Sequence, residues 1–99
     1  SVTSFALRVL TGKQEGQIFL LDQNSFTLGY SSQNDFNLNG YAEVCNLHAH
    51  IYKKDNQLFI ENTDADSEVL VNYRKVDHQA MKKGDVIKIG TAQLQYYEI

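Results

Sequence analysis

Apolar and polar residues alternate with period two along most of the chain, and no stretch keeps the 3.6-residue period of an amphipathic helix over ten residues. The pattern predicts strands. Residues 4–10 run into a loop bracketed by Gly12 and Gly16, and residues 17–21 return, which predicts a hairpin. Asp22-Gln23-Asn24 turns the chain again, and further strands are expected over residues 25–28, 35–38, 49–53, 57–61, 68–71, 86–89 and 92–97. Asp55-Asn56 and Asn72-Tyr73 stand where tight hairpin turns belong, because Asn and Asp tolerate positive φ better than most residues. Lys83-Gly84-Asp85 precedes the apolar Val86-Ile87 and Gly90 closes that run, so the last two strands should form another hairpin. Short strands separated by turns at this spacing predict an all-β sandwich of two antiparallel sheets, each hiding one face and wetting the other; a barrel is also compatible.

Size and composition narrow this further. The 99 residues suffice for one domain over residues 1–99, and 42% hydrophobic with 21% charged residues is the make-up of a folded chain rather than a disordered one. Nine Lys and Arg against twelve Asp and Glu give a net charge of −3, the wrong sign for nucleic acid or an anionic membrane surface. The single cysteine, Cys45, cannot form an internal disulfide, which fits a reducing, cytoplasmic setting. The longest apolar run, Ile18-Phe19-Leu20-Leu21, is far below the ~20 residues of a membrane helix, and no signal-like start is present. Because the chain begins at Ser1, it reads as a piece of a longer protein whose membrane anchor, if it has one, lies elsewhere.

Phe26-Thr27-Leu28-Gly29-Tyr30-Ser31, then Asn34-Asp35-Phe36-Asn37-Leu38, then Val44-Cys45-Asn46-Leu47-His48-Ala49-His50-Ile51 resemble, in order and spacing, the forkhead-associated (FHA) domain. The resemblance continues through Val71-Asn72 and residues 83–90 and covers nearly the whole chain. It implies an eleven-stranded β-sandwich whose loops at one end read phosphothreonine in partner proteins. It also implies a loop-supporting role for His48. The equivalents of the phosphopeptide-site residues depart from the family pattern. An Arg is expected after the first motif glycine, a Ser at the head of Ser-x-x-His, and an Asn-Gly pair before the seventh strand. Here Gly29 is followed by Tyr30, Cys45 heads the motif with Asn46 beside it, and Ser67-Glu68 occupies the last place. Gly29, Ser31, His48 and the closing Gly-Asp match.

A phosphothreonine presents about two negative charges and three acceptor oxygens, so a reader needs a guanidinium or ammonium as well as hydroxyl and backbone donors. Tyr30 supplies one neutral donor. Each hydrogen bond to a charged group contributes roughly 1.5–3 kcal/mol, so a phenol in place of an Arg fork weakens capture by orders of magnitude. The loops over residues 30–34, 39–47 and 61–68 hold no Lys or Arg, while Glu43, Glu61, Asp64, Asp66 and Glu68 lie in or beside them. Lys53, Lys54, Arg74 and Lys75 are expected at the opposite end, which makes the domain electrically polar and nominates these charged residues for interfaces.

Other chemistries have less support. Cys45, His48 and His50 could supply three zinc ligands, but the fourth is missing locally and His78 is unplaced, so no metal is expected. A Cys45–His48 nucleophilic dyad lacks oxyanion donors and sits among carboxylates that would raise the thiol pKa, so no enzyme activity and no cofactor are expected. Gly12 and Gly16 are not a phosphate loop, since no Lys-Ser or Lys-Thr and no helix follow. Tyr30, Tyr41 and Tyr73 are expected as exposed loop aromatics suited to an interface, whereas Tyr52, Tyr96 and Tyr97 should be half-buried strand residues.

Among FHA-like domains that lack the phosphate-binding residues, the chain is most similar to the cytoplasmic domain of the type III secretion inner-membrane ring protein of the YscD type, through residues 10–16, residues 26–29 with Asn34-Asp35, and Leu47-His48. The resemblance implies a phosphate-independent assembly module in the bacterial cytoplasm. Its parent would be anchored in the inner membrane, and its partners would be copies of itself or sorting-platform proteins. The alternative is a working phosphothreonine reader in which Ser31, Asn46 and backbone amides hold the phosphate and a partner supplies the cation.

Overall fold

A computed structural model describes residues 4–99. Among them are eleven strands and no helix: β1 (Phe5–Val9), β2 (Ile18–Leu20), β3 (Ser25–Gly29), β4 (Phe36–Asn37), β5 (Ala49–Lys54), β6 (Gln57–Asn62), β7 (Val69–Val71), β8 (Arg74–Val76), β9 (His78–Ala80), β10 (Val86–Ile89) and β11 (Ala92–Glu98). They form a six-stranded sheet in the order β2-β1-β11-β10-β7-β8 and a five-stranded sheet in the order β4-β3-β5-β6-β9. This is the two-sheet sandwich that the FHA resemblance implies.

Alternation along the strands builds the core. Leu7 and Val9, Phe26 and Leu28, Ile51, Ile60, Ile87 and Ile89, and Leu94 point inward and are at most 4% exposed. Fully burying each such side chain stabilises the fold by roughly 1.5–3 kcal/mol, and a shift of one residue in register would turn the set out to water. Three stacked rings, Phe19 on Phe36 and Phe36 on Phe26, with centroids 4.6 and 4.9 Å apart, close the side where β2 and β4 meet. The Asp55-Asn56 and Asn72-Tyr73 turns have the expected left-handed pairs, with φ of 52° and 63° and of 51° and 66°. They join β5 to β6 and β7 to β8 as two-residue hairpins.

Two features differ from the sequence expectation. The sheets are not wholly antiparallel, because β4 pairs with β3 in parallel, Leu28 opposite Phe36 and Gly29 opposite Asn37. Strands β8 and β9 have no alternating signal, since Arg74, Lys75, His78 and Gln79 are all exposed; only backbone pairing to β7 and β6 makes them strands. The strand directions gather residues 10–17, 30–35, 38–48 and 63–68 at one end of the sandwich. The turns at residues 55–56 and 72–73, with Lys53, Lys54, Arg74 and the segment 82–85, lie at the other.

Candidate functional site

The site begins where β3 stops. Any side chain at Gly29 would place its Cβ 2.2 Å from the Asn46 carbonyl oxygen and 2.8 Å from Asn34 Nδ2, so only glycine lets the two loops approach. Across that contact the Tyr30 and Ser31 amides donate to the Cys45 and Asn46 carbonyls at 2.9 and 3.3 Å. Two asparagines secure the turn from beneath. Asn34 Nδ2 donates to the carbonyls of Ser31 (2.8 Å) and Asn46 (2.5 Å), and Asn37 Nδ2 to those of Tyr30 (3.1 Å) and Ser31 (2.9 Å). Ser31 Oγ accepts from the Gln33 amide at 3.3 Å, which leaves its own proton for an outside acceptor. The Tyr30 side chain is 48% exposed beside it.

His48, only 1% exposed, joins this loop to the next. Its Nδ1 accepts from the Cys45 amide at 3.0 Å, so the ring carries its proton on Nε2, which donates to the Glu68 carbonyl at 2.7 Å. Both nitrogens are spent on backbone, and neither is available to a metal or as a base. The loop over residues 63–68 is further tied by the Thr63 amide to the His48 carbonyl (3.2 Å) and Thr63 Oγ1 to the Leu47 carbonyl (3.3 Å). Inside it the Asp64 carboxylate accepts from the Asp66 amide at 2.9 Å. That bond, followed by a side-chain one from Cys45, holds the Asp64 carboxyl below the usual carboxylate range against the smaller opposing effect of burial. Ser67 turns its hydroxyl inward to the Asp64 carbonyl at 3.2 Å, and Glu68 faces solvent. The Cys45 amide thus serves as a donor within the loops.

Two cations reach this end from elements outside the loops. Lys88 of β10 lines a cleft of 360 Å³ together with Glu43, His48, Asp66, Ser67 and Glu68. Lys13 rides on the β1–β2 loop, whose Gln14 packs against Gly40 and donates to the Asn37 carbonyl at 2.9 Å. The end is therefore acidic but not free of positive charge, a correction that follows from strand pairing rather than loop sequence. Tyr41 is also corrected. It is 6% exposed in the core, not an interface aromatic, because its hydroxyl accepts from the Gln14 amide (3.0 Å) and donates to the Thr11 carbonyl, folding the β1–β2 loop over the ring. Tyr73, at 67%, is exposed. Lys53, Lys54 and Arg74 are exposed at the opposite end, whereas Lys75, expected with them, is set opposite Leu70 on β7, level with Lys88. A separate groove of 440 Å³ opens at their end, between Phe5, Leu21, Leu58, Met81 and Tyr96, with no access to the loops.

Known proteins decide the family. Residues 8–99 match the model of the family described as the inner membrane component of T3SS, cytoplasmic domain, of the Yop-YscD type. The chain belongs to that family. Its description places such domains on the cytoplasmic side of an inner-membrane protein, and no helix among the described residues is long and apolar enough to cross a membrane. No curated protein is similar to the chain as a whole sequence. Solved structures are. The FHA domain of the CT664 protein from Chlamydia trachomatis is 26% identical over 97% of this chain and 98% of its own, with a TM-score of 0.86. The FHA domain of an Arabidopsis thaliana hypothetical protein is 19% identical over 99% and 87%, with a TM-score of 0.88. The FhaA FHA domain complexed with the intracellular domain of Rv3910 is 20% identical over 94% and 99%, with a TM-score of 0.83. This T3SS-family domain is accordingly a divergent FHA domain.

Proposed function

We propose that the domain is a non-catalytic assembly module of the type III secretion inner-membrane ring, working in the bacterial cytoplasm and binding protein without phosphate. One observation carries this. The position after Gly29 holds the half-exposed phenol of Tyr30, and in the cleft beside His48 at the same end the one cation among the described lining residues, Lys88, shares it with Glu43, Asp66 and Glu68. A dianion entering there meets three carboxylates and one ammonium, and neutral donors do not offset that repulsion. The loops need no ligand to order them, since Asn34, Asn37, His48 and Asp64 already tie them together. Such a preformed, acidic surface suits a protein partner presenting positive charge, whether a copy of this chain or a sorting-platform protein. FhaA offers a parallel as an FHA domain that engages the intracellular domain of another protein.

Calorimetry with phosphorylated and plain versions of a threonine-peptide library is the test. Equal affinities, or none, are expected. A phosphate-dependent affinity tighter than about 100 μM, worth about 5.5 kcal/mol, would overturn the proposal.

A further inference from the structure

A sheet edge is a row of unpaired donors and acceptors, and folded proteins guard it with charge, shortness or covering groups. Three of the four edges here are guarded. β8 carries the exposed Arg74 and Lys75. β9 is His78-Gln79-Ala80, preceded by Asp77 and followed closely by Lys82 and Lys83. β4 is two residues long, follows Asp35, and has its Asn37 carbonyl capped by Gln14. β2 is as short as β8 and β9, but among the described residues it has neither charge nor cover. No charge occurs from Gly16 to Leu21, and Ile18 and Leu20 are 49% and 51% exposed.

The hydrogen-bond phase adds a second observation. The Val9 amide donates to the Gln17 carbonyl and the Leu21 amide to the Phe5 carbonyl, both at 2.9 Å, with Phe19 opposite Leu7. Gln17, Phe19 and Leu21 therefore turn their backbone groups toward β1. Antiparallel pairing alternates, so the N–H and C=O groups of Ile18 and Leu20 point out of the sheet. The two residues with exposed apolar side chains are also the two with outward ladder groups.

We propose that this edge receives a second copy of the chain, β2 against β2 antiparallel, about a two-fold axis at Phe19. The register then follows from the outward groups. Ile18 faces Leu20 of the second copy and Leu20 faces its Ile18, with four backbone hydrogen bonds and apolar side chains meeting on the outer face. The stretch is self-complementary, which favours a copy over a foreign strand. Apolar opposes apolar on both sides of Phe19 and no charge lies within the paired stretch; Asp22 falls opposite Gly16 of the second copy, where the loop carries Glu15 as well as Lys13. A three-residue strand buries less than the ~800 Å² per partner of a standard interface, so the isolated pair is weak, with Kd on the order of 0.1–1 mM, and gains weight when copies are held close. The pairing rests on the assembly-module reading for its setting. It uses an edge separate from the recognition loops, so either can fail while the other stands.

The test is a concentration series of ¹H–¹⁵N spectra of the whole chain, from about 0.05 to 1 mM, alongside sedimentation equilibrium. The Ile18 and Leu20 amides should shift with concentration while those of Tyr30 and Asn46 do not, and Leu20→Lys should weaken association at least ~10-fold. Leu20→Ser serves as the check that the loss comes from the edge rather than from misfolding, since the site is already half exposed. No concentration dependence up to about 1 mM would overturn the proposal and leave the edge to a foreign strand. Self-association that Leu20→Lys and Leu20→Ser leave unchanged would overturn it too.

Discussion

Replacing His48 by Ala should loosen both recognition loops at once. The ring is 1% exposed and makes two bonds to backbone, from the Cys45 amide and to the Glu68 carbonyl. Its removal strands one donor and one acceptor, each costing about 1–3 kcal/mol if left unpaired in a buried place, and opens a ring-sized void. Water can enter from the adjoining 360 Å³ cleft and satisfy part of that demand, so the expected loss is about 2–4 kcal/mol rather than the full sum. That is a large fraction of the 5–15 kcal/mol typical of a domain this size. In urea, with a slope of roughly 1–1.5 kcal/mol/M, the midpoint should fall by about 2 M at unchanged slope. Hydrogen exchange should speed at the Cys45 and Thr63 amides before it speeds in β5 or β6. Tyr30→Ala is the control, with a change within about 0.5 kcal/mol because the ring lies half in water. A midpoint shift below about 0.5 M for His48→Ala, with loop amides still protected, would refute the view that this side chain joins the loops.

Other consequences can be measured as readily. Gly29→Ala should cost upwards of about 2 kcal/mol by thermal or urea unfolding, since its Cβ meets the Asn46 carbonyl at 2.2 Å and backbone must move; a neutral result would mean the loops do not need that approach. Tyr41→Phe removes the hydroxyl shared by Gln14 and Thr11 and should cost about 1–2 kcal/mol, with faster exchange at the Gln14 amide; unaltered exchange there would count against the pin. Asp64 is held below the usual carboxylate range, so its contribution is complete above the unfolded value and disappears as pH falls through the lower folded one. An NMR titration at the Asp66 amide should thus show the loop loosening only on the acid side of about pH 4, and Asp64→Asn should abolish that step. Tyr96 titrates in the opposite sense. Burial, then Asp85 and Glu98, raise its phenol above the ordinary value, so its contribution is intact below about pH 10 and declines at higher pH; the phenolate absorbance lost on Tyr96→Phe should belong to the part of the titration beyond that point.

Strands with one buried face were legible from alternation, and the Asp55-Asn56 and Asn72-Tyr73 turns from their tolerance of positive φ. Strands β8 and β9 were not, because Arg74, Lys75, His78 and Gln79 bury nothing and are strands only through the neighbours they pair with. Tyr41 sits among Asn39, Gly40 and Ala42, which locally reads as an exposed loop. Its burial comes from a loop 27 to 30 residues earlier. Lys88 was visible as a polar residue between Ile87 and Ile89, but only the pairing of β10 with β7, which sets it opposite Leu70, brings it beside Glu68. The order of the motifs carried the fold and family. Which side chains share the recognition end depended on contacts across the chain that no local pattern encodes.

The central claim, that these loops bind without phosphate, is met most directly by titrating the isotope-labelled chain with a phosphothreonine peptide and its plain counterpart, reading the Tyr30, Ser31 and Asn46 amides. Phosphate independence predicts indistinguishable responses to the two peptides up to about 1 mM. A saturable shift at those three amides with the phosphorylated peptide alone, half-complete below about 100 μM, would contradict it.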